Sequence, residues 1–185
     1  MSDVATRYDR IARTFTERVG AVPAGGWERP APCEGWVARD VVRHLTEWLP
    51  AFFFSSGTWA TQAPAIPSVD DDPVAAWAAV DAAIRSALAD PELATSVRDT
   101  PMGAVSFEDA IDMICTSDVF LHTWDLCRAT GQDERLDPVE VHRLLLGMEP
   151  MDEVLRGSGH YGPRVPVPED ADEQTRLLAF IGRTP

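Results

Sequence analysis

The run SDVFLHTWDLCR (residues 117–128) sets two aspartates, a histidine and a tryptophan into an otherwise apolar stretch. Ile111, Ile114 and Cys115 upstream and Asp118, His122 and Asp125 within it recur at spacings of three and four, which is one face of a helix. Ser106 followed by Asp109 resembles a capping box with the shorter acid in place of Glu, and Gly131 supplies a stop, so the spacing predicts one long helix between them. Residues four apart on a helix stand over one another, so the Asp118 carboxylate and the His122 imidazole point the same way. Their stripe carries the apolar residues too and therefore faces the interior, where an unpaired carboxylate is costly. Something must satisfy it.

The same period runs through most of the chain. Tyr8, Ile11, Phe15 and Val19 mark a first helix over residues 3–19, stopped by Gly20 and Pro23. The segment AGGWERPAPCEG (24–35) reads as an ordered turn region in which Trp27 covers the core. A second helix spans about 37–54 with Val41, His44 or Leu45, Trp48 and Phe52 along one side, and Pro50 is expected to kink it or end it early. Residues 55–72 read as a loop. Asp72-Pro73 then opens a third helix with Trp77, Val80, Ile84 and Leu88, closed by Asp90-Pro91. Asp137-Pro138 repeats the device ahead of Val141, Leu144, Leu145 and Met148. A proline-dense extended tail, 161–170, precedes a last short helix near 174–181. These elements predict an all-α fold: a bundle of four main helices with long connections and a short C-terminal helical tail. The expected organisation is one domain over 1–185, with the tail 160–185 packed on it and extended structure confined to 24–35 and 161–168.

A chain of 185 residues suffices for one well-packed core, and 45% hydrophobic with 25% charged residues is ordinary for a globular protein. A net charge of −14 argues against a nucleic-acid partner, which needs clustered positive charge. No apolar run is long enough to cross a membrane, and the N-terminus has no signal-peptide pattern, so a cytoplasmic location is expected. Cys33, Cys115 and Cys127 form neither a disulfide framework nor a CxxC zinc motif, and the latter two read as core residues. The aromatic run LPAFFF (49–54) would expose rings wherever it leaves the core, which makes a homodimer the expected assembly.

Two arrangements satisfy Asp118 and His122. One is a buried ion pair completed by Arg43 or Arg128; the other is a divalent metal completed by a third ligand. Of the remaining histidines, His142 lies beside Arg143 on a water-facing side, His160 lies in a glycine-flanked loop, and His44 sits on a helix face that can meet His122 across the bundle. The DxxxH spacing is common by itself. It is not the HExxH pattern of metalloproteases, and no GxSxG nucleophile motif is present. Asp125, three residues after His122, can accept from a ligand's free ring N–H, or instead bond an arginine or the backbone of the CEGW turn. Trp48 and Trp124 are candidate apolar walls, and Arg39, Arg43 and Arg128 candidate anion contacts.

Three segments, APCEGWVARDVVRHL (31–45), SDVFLHTWDLCRATGQD (117–133) and YGPRVPVPEDADEQTRLLAFIGRTP (161–185), resemble the actinobacterial metal-binding proteins of the DinB-like superfamily. The nearest group is the one related to the N-terminal domain of mycothiol-dependent maleylpyruvate isomerase, and the resemblance covers essentially the whole chain. It implies a four-helix bundle with a central divalent metal, zinc or nickel first, held by His44, Asp118 and His122. The isomerase branch carries Glu where this chain has Asp118. The resemblance also implies a low-molecular-weight thiol such as mycothiol as co-substrate and a small electrophile as its partner, in a thiol-dependent transferase or isomerase. The isomerase has a further C-terminal domain that has no counterpart here, so maleylpyruvate isomerisation itself is not expected. The alternatives are a non-catalytic metal- or small-ligand-binding protein of the same fold and a plain helical scaffold.

Overall fold

The computed structural model describes residues 2–55, 59, 63–100, 103–157, 159 and 161–185. Four long helices carry the architecture: α1 (Asp3–Gly20), α2 (Ala38–Phe53), α3 (Pro73–Ala89) and α6 (Thr116–Thr130). Their starts follow from local chemistry. Ser2 accepts from the Ala5 N–H, Asp72 from that of Ala75, and the Asp40 carboxylate reaches back to the Val37 N–H at 2.9 Å. Gly131 ends α6 with φ 74°, a left-handed conformation that glycine adopts without Cβ strain. Pro50 does not end α2, which continues to Phe53 and closes with the Phe54 N–H on the Pro50 carbonyl at 2.9 Å. So near the helix end, the missing N–H of proline forfeits only one bond.

α1 packs on α3 and α6, and so does α2, so the consecutive helices α1 and α2 stand at opposite corners of the bundle. That arrangement requires a long crossover between them. The expected stripes fill the core: Tyr8, Ile11, Phe15 and Val19 from α1, Val41, Leu45 and Leu49 from α2, Trp77, Val80 and Ile84 from α3. Trp77 lies edge-on to Phe15 and donates its indole N–H to the Thr16 hydroxyl at 2.8 Å. From the 49–54 run, Leu49, Pro50, Phe53 and Phe54 are buried, and Phe52 is the one large side chain at the surface.

The connection between α3 and α6 differs from its sequence reading. After the single turn α4 (Pro91–Ala94) comes an antiparallel hairpin, β1 (Val97–Thr100) with β2 (Gly103–Ser106), which the residue pattern did not signal. Ser106 then caps α5 (Phe107–Ala110), and residues 111–115 form a π-helical segment leading into α6. The expected long helix is thus one path with a π insertion in its middle. The Thr116 N–H and hydroxyl both turn back to the Ile111 carbonyl. Segments 24–35 and 161–168 hold no strand; the first has a three-residue 3-10 turn and a single bridge between Pro30 and Val37. Trp27 packs partly buried on the core, as expected.

α7 (Pro138–Met148), capped by Asp137, packs on α9 (Glu173–Phe180), with the short helix α8 (Asp152–Gly157) between them in sequence. Leu177, Leu178, Phe180 and Ile181 join the same apolar cluster as the bundle helices. Among the described residues no helix is long and apolar enough to cross a membrane.

Candidate metal centre

α2 and α6 pack directly on each other, and their facing sides bring together His44 and Trp48 from α2 with Asp118, His122 and Asp125 from α6. The His44 and His122 rings meet at 4.8 Å between centroids. His44 Nε2 lies 3.3 Å from Asp118 Oδ2, and His122 Nε2 lies 3.5 Å from Asp118 Oδ1. Donor atoms of all three residues lie within 4.8 Å of one another. Nitrogen and oxygen ligands about 2.0–2.1 Å from a tetrahedral divalent ion stand about 3.3 Å apart, so the separations to Asp118 fit a small ion between these groups. Zinc and nickel both accept two imidazoles and a carboxylate.

The surroundings hold the donors in place. His122 is buried, and its Nδ1 lies 2.9 Å from Asp125 Oδ2, which turns Nε2 toward Asp118 and His44. Asp125 is 1% exposed and carries the Arg183 guanidinium as a two-bond fork, Nε to Oδ1 at 2.8 Å and Nη2 to Oδ2 at 2.9 Å. Cys33 completes the cluster, with its sulfur 3.5 Å from Asp125 Oδ2. The Trp48 indole donates to Asp118 Oδ2 at 2.8 Å. Trp36 stacks on His122 at 5.8 Å and tilts against His44 at 5.2 Å.

Charge follows this geometry. Burial favours neutral His122, yet the neighbouring Asp118 and the bonds to Asp125 and Cys33 overcome it and raise the metal-free pKa to about 10. Burial likewise favours protonated Asp125, but His122 and Arg183 hold it down at about 2. Asp118 is lowered despite burial by His122 and His44, so the donor set presents an ionised carboxylate. Burial raises Tyr161, and the charge of Asp118 raises it further.

The sequence-predicted residues divide cleanly. His44, Asp118, His122, Asp125 and Trp48 converge. Asp125 bonds the His122 ring, the Arg183 guanidinium and the Cys33 thiol, and not the backbone of the CEGW turn. Trp124 lies in the core with Arg128 4.8 Å above its ring, and makes no ring contact with His44 or His122. Arg43 is held by Asp40 and Asp70, Arg128 by Glu134, and Arg39 by Glu28 and the Val69 and Asp70 carbonyls. Neither Arg43 nor Arg128 pairs with Asp118. His142 is exposed and bonds Glu173, and His160 lies outside the described residues. Sequence reasoning missed Trp36, Cys33 as a site residue, and Arg183. Only Trp36 and Cys33 carried a signal, since both lie in the turn that leads into the helix of His44.

A helical bundle with two histidines and a carboxylate converging between two of its helices is the class of protein this geometry defines. Residues 8–127 match the family model of the mycothiol maleylpyruvate isomerase N-terminal domain, and the chain belongs to that family. The match includes every candidate ligand and stops short of Arg183. Two uncharacterised proteins of Mycobacterium tuberculosis, from strains CDC 1551 / Oshkosh and ATCC 25618 / H37Rv, are each 30% identical over 184 residues, covering 98% of both chains. They support an actinobacterial group. No solved structure matches the chain.

Proposed function

We propose that His44, Asp118 and His122 hold a divalent metal, zinc or nickel, and that the centre serves a low-molecular-weight thiol such as mycothiol in transfer to, or isomerisation of, a small electrophile. The observation that carries this reading is the spacing of the donors about Asp118, 3.3 and 3.5 Å, with the outer nitrogen of His122 already bonded to Asp125. A divalent ion there would supply the Lewis acidity that favours the thiolate form of a thiol at neutral pH. Three protein ligands leave a coordination position for that sulfur. Asp118 offsets one positive charge, and Asp125 fixes the His122 ring so that its proton stays on Nδ1. Trp36 and Trp48 wall the histidines and limit water beside them.

The test is spectroscopic. Cobalt-substituted protein is expected to gain a sulfur-to-metal charge-transfer band on addition of mycothiol or a simpler thiol. The band should persist when Cys33, Cys115 and Cys127 are changed to Ser and vanish in Asp118→Ala. A cobalt-loaded protein with no thiol-dependent band and no heat on thiol titration would contradict thiol chemistry and leave metal or ligand binding without turnover.

A further inference from the structure

His122 stands between two donor clusters, one on each ring nitrogen. On the Nε2 side are His44 and Asp118. On the Nδ1 side are Cys33 and Asp125, whose donor atoms with His122 also lie within 4.8 Å of one another. The second cluster has the softer set, a thiol with an imidazole and a carboxylate, and its spacings of 2.9 Å and 3.5 Å about Asp125 Oδ2 suit a small ion. By donor chemistry alone a zinc-like ion would favour it.

We infer that Arg183 is a positioning residue that decides between the two clusters: its fork on Asp125 commits His122 Nε2 to the metal and keeps the Cys33 thiol out of coordination. This rests on the metal reading above. The guanidinium occupies both Asp125 oxygens and is permanently charged, so an ion on Oδ2 would meet a fixed positive charge within a few ångströms. Asp125 is 1% exposed, so its charge is balanced by the arginine rather than by water. Held in this way, its Oδ2 accepts the Nδ1 proton, so the Nε2 side, which faces Asp118, is the one an ion would take by displacing its proton.

Arg183 is itself fixed by the backbone around it. Its N–H donates to the Leu178 carbonyl at 2.9 Å, and the preceding Gly182, at φ 87°, lies so close to Gly162 that a Cβ would come within 2.9 Å of the Gly162 Cα. Among the described residues no other arginine bonds Asp125, and the chain has no lysine. The consequence bears on thiol use. An ion captured on the Nδ1 side would have its sulfur position filled by the chain's own Cys33, whereas on the Nε2 side that position stays available to a free thiol.

Cobalt spectra of the wild type, Arg183→Gln and Arg183→Gln/Cys33→Ser test this without any assay of activity. Without added thiol, the wild type is expected to show cobalt ligand-field bands and no sulfur charge-transfer band. Arg183→Gln should gain that band, and the double variant should lose it. Cobalt affinity in the double variant should fall about 10- to 100-fold below wild type, the usual effect of losing the group that orients a ligand histidine. A purely structural Arg183 would lower thermal stability in Arg183→Gln but would not bring a Cys33-dependent band. An unchanged spectrum and affinity in Arg183→Gln would overturn the selector role, as would a Cys33-dependent band already present in the wild type. A wild type that takes up no cobalt would sink the metal reading and the selector with it. If circular dichroism shows that Arg183→Gln does not fold, Arg183→Lys, which cannot occupy both oxygens in a planar fork, takes its place: a Cys33-dependent band supports the selector and its absence overturns it.

Discussion

Asp118 divides its two oxygens among three donors: Oδ2 faces the Trp48 indole and His44, and Oδ1 faces His122. The Trp48 N–H therefore aims the carboxylate while the ring covers His44 at 5.9 Å. Trp48→Phe keeps most of the ring and removes the donor. Metal affinity is expected to fall about tenfold, measured by competition with a chelator, with an unchanged circular-dichroism spectrum. An unaltered affinity would mean that the indole bond does not orient the ligand. These convergences were legible to different degrees. The DxxxH pair and its helical face could be read because one helix fixes both side chains. The pairing of Asp125 with Arg183 could not, because 58 residues separate them and only the folded tail brings them together.

At the scale of elements, the helices that announced themselves did so by their caps. Asp72 and Asp137, each followed by proline, and Ser106 ahead of Asp109 all hold the expected N–H groups. The strand pair 97–100 and 103–106 gave no such signal: its four-residue strands are mostly exposed and have no apolar alternation to read. The π segment was also hidden, since Ile111, Ile114, Cys115 and Asp118 keep spacings of three and four straight through it. Its trace is Met113, half exposed between the buried Ile111 and Cys115, with Ile114 only partly covered. Thr116→Val removes the buried hydroxyl that bonds Ile111 and is expected to cost about 1 kcal/mol in denaturant unfolding. Gly182→Ala combines a positive φ with a backbone clash at Gly162, and a loss of about 1–3 kcal/mol is expected. A neutral result in the same measurement would show that the tail shifts freely at this crossing.

The whole molecule is tied together by a buried network outside the candidate metal centre. Arg7 of α1 donates twice to Glu140 Oε2 of α7 and once to Asp112 Oδ1 in the π segment, and Arg10 donates to Glu140 Oε1. Burial raises the Glu140 pKa, but Arg7 and Arg10 outweigh it and leave the carboxyl below its ordinary value. A depressed folded-state pKa contributes stability that is present above the unfolded value, about 4.3, and is lost as pH falls through the folded one. Thermal stability is therefore expected to drop on acidification below about pH 4–5, with a shallower drop in Glu140→Gln. At neutral pH that variant leaves Arg7 buried with one carboxylate fewer and is expected to lose about 3–5 kcal/mol. Equal acid slopes for wild type and variant would remove Glu140 from the account.

The claim at the centre of the account is that His44, Asp118 and His122 together hold one divalent ion. Elemental analysis of the purified protein beside His44→Ala, Asp118→Ala and His122→Ala measures this most directly. The expected result is about one equivalent of zinc or nickel per chain in the wild type, with most of it lost in each variant while the helical spectrum is retained. Metal content unchanged in the two histidine variants, or a wild type free of metal after growth and dialysis in zinc- or nickel-supplemented medium, would contradict it.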